Sequence, residues 1–95
     1  MTIMHDIVSL WHVHREAGWP KLSERQGELM TLDTVISGCV TFFLDAEGGL
    51  DPQRVEILQS CLDDLNGLLP DLDEEAAPYF ERLAKLGRLL LEANR

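Results

Sequence analysis

Apolar residues recur at three- and four-residue steps along most of this chain, and prolines, glycines and capping residues divide the pattern into separate stretches. The clearest opens at Asp51-Pro52 and carries Val55, Leu58, Cys61, Leu62, Leu65, Leu68 and Leu69. At about 100° per residue these side chains share one face of a helix. The pattern predicts an all-α fold and says nothing by itself about an activity.

Four stretches follow from it. The first runs from about Thr2, a candidate N-cap, to Ala17, with Ile3, Ile7, Leu10, Trp11 and His14 to one side. Gly18-Trp19-Pro20 stops it, because the residue before a proline avoids helical angles. Its β-branched and aromatic content leaves a strand open for residues 7–13. The second starts near Ser23, where Ser23 and Gln26 have the spacing of a capping box after Leu22. Its stripe is Leu29, Leu32, Ile36, Cys39, Val40 and Phe43, widened by Val35 and Phe42. The composition of 35–43 favours a strand, and Gly38 costs about 1 kcal/mol in a helix relative to alanine. The stripe runs in phase from Leu29, so a helix to Leu44 is expected.

Gly48-Gly49 breaks the chain again. Asp51 then caps the third stretch, with Pro52 at the first helical position, where it forfeits no hydrogen bond. Leu50 and Val55 have the spacing of a hydrophobic staple. Pro70 sets its end near Leu69. Asp73 is the expected cap of the fourth stretch, with Glu74 and Glu75 favoured by the positive end of the helix dipole. Pro78 belongs to its first turn. Tyr79, Leu83, Leu86 and Leu90 form its stripe, and Asn94 is expected to end it in the left-handed conformation. Short connections make neighbouring helices antiparallel. The expected architecture is one domain over residues 1–95: a small antiparallel bundle of three long helices and a shorter N-terminal one.

Charge narrows the partners. Seventeen acidic residues oppose eight basic ones, a net charge of −9. Such a field repels phosphate backbones and anionic membranes and suits a basic partner. The longest uncharged stretch, Thr34 to Leu44, is shorter than the roughly 20 residues of a membrane span. No leader is expected, since Met1 to Asp6 lacks a positive n-region. Two cysteines, Cys39 and Cys61, are too few for a disulfide framework. Both fall on apolar faces, so buried thiols in a reducing cytoplasm are expected.

Three histidines, His5, His12 and His14, make the N-terminal segment the candidate for metal binding or phosphotransfer. Helical geometry opposes a shared ion: His5 and His12 stand two turns apart, about 10 Å, against about 2 Å from metal to each nitrogen. His14 lies on the apolar side and is expected to be a hydrogen-bonded core histidine. His12 is the exposed phosphotransfer candidate. Acids at Asp45, Glu47 and Glu56 fit a calcium loop in part, but Leu50 stands where that loop needs glycine. The Asp71–Glu75 run lacks the glycine too. No nucleotide fingerprint and no serine elbow occurs. Arg82, Lys85 and Arg88 step along the fourth stretch with Glu81 and Glu92 interleaved, as on a solvated face. No catalytic residue, cofactor or metal site is assigned.

Interaction is the expected function: a small acidic regulatory, adaptor or chaperone-like protein, homodimeric or holding another helical protein. Leftover apolar surface marks contacts. Trp19, Val35, Phe42, Leu89 and Leu91 are the expected contact residues. Thr31, Thr34, Gly38 and Thr41 form a small-residue strip that either admits a second helix or faces solvent.

Overall fold

The computed structural model describes residues 3–20, 26–45 and 49–94. It holds four α-helices, α1 (Ile3–Glu16), α2 (Gln26–Asp45), α3 (Pro52–Leu68) and α4 (Ala77–Ala93), with a 3-10 turn at Leu69–Asp71. Among the described residues no strand forms. Residues 7–13 lie inside α1 and residues 35–43 inside α2, so both strand-prone stretches are helical.

The reason is visible in α2. Leu29, Leu32, Ile36, Cys39, Val40 and Phe43 are all buried, as an in-phase stripe requires. Burying that row outweighs the local preferences of valine, threonine and glycine, since β-propensity is set largely by context. The threonines find partners within the helix. Thr31 and Thr34 donate their hydroxyls to the carbonyls of Gly27 and Met30 at 2.9 Å, and Thr41 to that of Gly38 at 3.0 Å. By length and composition alone α2 is also apolar enough to cross a membrane. In the fold its six-residue stripe packs inside the protein.

The caps follow the sequence in part. Asp51 has extended backbone angles and accepts the Arg54 N–H at 2.8 Å. That bond, followed by the Arg54 side chain at 2.6 Å, holds the Asp51 carboxyl below its ordinary range. Leu50 is buried and Val55 half-buried against the core, the placement a staple demands. Helix α3 ends at Leu68, one residue early, because Pro70 sits in the 3-10 turn that follows. Asp73 accepts the N–H groups of Glu75 and Ala76 at 3.1 and 2.9 Å. It therefore caps a turn leading into α4, and Pro78 falls in the first turn of that helix. Thr2, Leu22 and Ser23 lie outside the described residues.

Asn94 departs from expectation. It is right-handed, at φ −88° and ψ −1°. Its side chain explains why: Oδ1 accepts the Leu50 N–H at 2.8 Å, and Nδ2 donates to the Leu50 carbonyl at 3.3 Å. This paired amide ties the end of α4 to the start of α3.

Helix α4 is the hub of the bundle and packs against α1, α2 and α3. It buries Phe80, Leu83, Ala84, Leu86, Gly87 and Leu90, an arc too wide for a single neighbour. Gly87 marks its closest approach to α3. A Cβ there would stand 2.6 Å from Leu62 Cδ2. Helices α2 and α3 also pack on each other, whereas α1 rests mainly on α4 and buries only Ile7 and His14.

Candidate functional site

Two features stand apart from the apolar core: an open cleft between α2 and α3, and a polar junction where α1, α2 and α4 meet. The cleft, about 780 Å³, is lined by Gly27, Glu28, Thr31 and Leu32 from the start of α2 and by Asp63, Asp64, Gly67 and Leu68 from the end of α3. Its floor is apolar, since Leu32 and Leu68 are core residues. Its lips are acidic, for Glu28, Asp63 and Asp64 are exposed. No lysine or arginine is among those lining residues. Gln59 donates to Asp63 Oδ1 at 3.3 Å.

Two of the lining residues are helical glycines. Among the described residues, a Cβ added at Gly27 or Gly67 would meet nothing within 4 Å. Packing therefore does not require glycine at either position, and each helical glycine costs about 1 kcal/mol relative to alanine. Their effect is to keep the walls low. The two glycines are far apart in the chain and only the packing of α2 on α3 brings them together, which is why the linear pattern does not reveal them.

The polar junction is built around His14, which is buried on α1. Its Nδ1 accepts the Arg82 Nε–H at 2.9 Å. An arginine can only donate, so in this bond Nδ1 is the acceptor and Nε2 is the nitrogen left to face Asp33. That atom stands 3.8 Å from Asp33 Oδ1 and has no hydrogen-bond partner among the described residues. Asp33 is held instead by the Tyr79 hydroxyl, which donates to Oδ1 at 2.9 Å. Burial, and after it the bond to Asp33, pushes the Tyr79 phenol well above its ordinary range. Aromatic rings wall the junction. The His14 ring lies 4.3 Å from that of Tyr79, and Trp19 meets Tyr79 and Phe80 edge-on at 5.3 and 5.7 Å. The expectation of a hydrogen-bonded core histidine agrees with this geometry. The expectation for Arg82 does not. Arg82 is half-buried against His14 and Tyr79, whereas Lys85 and Arg88 are exposed. Its place one turn after Tyr79 on α4 puts it over the end of α1.

His5 and His12 lie on the exposed side of α1. Among the described residues no three histidine, cysteine or acidic side chains gather as an ion site would require. Glu47, part of the calcium-loop spacing, lies outside the described residues. Both cysteines are free thiols. Cys39 is buried, but Cys61 is only half-buried, at the edge of the α3 stripe. Burial pushes both thiols up, aided at Cys39 by the Cys61 thiol and at Cys61 by Asp64. Neither is poised as a thiolate nucleophile.

The five expected contact residues do not share one surface. Phe42 is 37% exposed, with the Arg54 guanidinium 3.8 Å above its ring. Val35, Leu89 and Leu91 are half-buried. Leu89 borders a groove with Leu10 and Val13 of α1, and Leu91 borders another with Gln59 and Leu62 of α3. Two residues apart on a helix, they point to nearly opposite sides. Trp19 is 43% exposed at the far end of α4, beside Tyr79. The strip of Thr31, Thr34, Gly38 and Thr41 is exposed throughout. Among the described large apolar residues, Val8 and Val13 of α1 are exposed by the greatest fraction, 50% and 53%. Comparison with protein-family models, curated proteins and solved structures returns no match.

Proposed function

We propose that this chain is a small acidic interaction module, regulatory, adaptor or chaperone-like, that holds a partner protein on its outer surface. The observation that carries this reading is the α2–α3 cleft: an apolar floor with acidic lips, open to solvent and lined by two glycines. Concave apolar surface bordered by polar groups is what a partner's side chains fill. The histidine segment supports its own alternative less well. His14 is enclosed behind Arg82, and among the described residues His12 belongs to no group of three metal-ligating side chains.

The module reading includes an antiparallel order of helices. It is supported by Arg54, at the start of α3, lying over Phe42 at the end of α2, and by Leu50 bonded to Asn94. It also includes a homodimer, for which Met4, Val8 and Val13 on α1 and Phe42 on α2 are among the exposed apolar side chains. A reducing cytoplasm suits the two free thiols. Affinity capture with the tagged full chain tests the module reading: one stoichiometric protein partner is expected, and none in any lysate fraction contradicts it. Light scattering at micromolar concentration tests self-association. Twice the 10.7 kDa chain mass is expected, and the single-chain mass removes the dimer.

A further inference from the structure

We propose that the α2–α3 cleft docks its partner through a basic side chain set among apolar ones: an arginine or lysine meets Asp63 and Asp64 while its apolar neighbours cover Leu32 and Leu68. This deepens the interaction reading and rests on it.

Charge complementarity selects the occupant. The carboxylates of Asp63 and Asp64 line the cleft beside Leu32 and Leu68, in a chain of net charge −9. A positive group is attracted both by the whole molecule and by the cleft. Nucleic acid and anionic lipid are repelled by the same field. The buried leucine floor adds what a free cation would not use, so the complementary ligand is a basic group with apolar neighbours, as on an amphipathic helix. The glycines allow that helix to approach closely. A second copy of this chain fits less well. It brings the same excess of acid, so the two copies repel each other.

The test titrates the isotope-labelled full chain with a synthetic helical peptide of about sixteen residues. The peptide carries leucines bordered by arginines on one face, and its twin has glutamine in place of each arginine. Saturable shifts centred on the amides of Gly27, Thr31, Asp64 and Gly67 are expected. The glutamine twin should bind about tenfold more weakly or worse, and added salt should weaken the arginine peptide. The double variant Asp63→Asn/Asp64→Asn should lose about tenfold in affinity. Gly67→Leu should abolish binding while its melting temperature stays at or above that of the parent, since the site is exposed and open. The proposal is overturned by shifts spread evenly over the acidic surface, by shifts centred on α1, by equal binding of both peptides, or by no shift at millimolar peptide. It is likewise overturned if dilution of the chain alone moves the same cleft signals, because a second copy is then the occupant. Where these tests fail but the tagged chain still captures a stoichiometric partner, the cleft assignment falls and the module reading stands. Where capture fails as well, both fall.

Discussion

Gly87 and Gly38 are both helical glycines, and the protein uses them in opposite ways. Gly87 lets α4 press against Leu62, whereas a Cβ at Gly38 would meet nothing within 4 Å. Alanine gains about 1 kcal/mol of helix propensity at either position. At Gly87 that gain is outweighed, because the Leu62 side chain is buried and has little room to yield, and overpacking costs about 1–3 kcal/mol. Denaturant melts should therefore show Gly38→Ala more stable by about 0.5–1 kcal/mol and Gly87→Ala less stable than the parent. Tyr79 gives a second residue-level prediction, with its sign set by the raised phenol. The folded chain keeps the proton longer than the unfolded chain does. The associated stability is thus fully present below the ordinary phenol value of 10.0 and is lost as pH rises beyond it. Tyr79→Phe should cost about 1 kcal/mol at neutral pH, through the lost bond to Asp33. Above pH 10 its stability should fall less steeply than the parent's in urea melts. An equal slope would remove the Tyr79–Asp33 bond from the account.

Among the helices, α1 is the one held by the fewest buried side chains, Ile7 and His14. Ile7→Ala should cost about 2–5 kcal/mol. Amide exchange should show α1 opening before α3 and α4, because local stability follows buried contacts. Exchange that is lost from all helices at once would contradict this. The elements themselves were largely legible in the sequence. The in-phase stripe from Leu29 to Phe43 predicted α2 against its own composition, and Asp51-Pro52 marked the start of α3 to the residue. The misses have local causes. Asn94 carries the C-cap signature, but its amide bonds to Leu50, a partner distant in sequence. Arg82 sits in a run of alternating charge that reads as solvated, yet α1 lies over it. Cys61 falls on an apolar stripe but at its edge, where burial is partial.

For the molecule as a whole, what was legible was the fold class and the negative field, and what was not legible was the surface. Periodicity states which side of a helix faces inward; it does not state which helices leave space between them. Of the expected contact residues, Val35 and Phe42 lie on α2 and Leu89 and Leu91 on α4, while Gly27 of α2 and Gly67 of α3 line one cleft. The interaction account is tested most directly by carboxyl footprinting of the full chain, free and bound to its captured partner. Asp63 and Asp64 should lose modification on binding, while Asp6 and Glu81, exposed outside the cleft, stay unchanged. Protection confined to α1, or carboxylates of the cleft that react equally in both states, would contradict it.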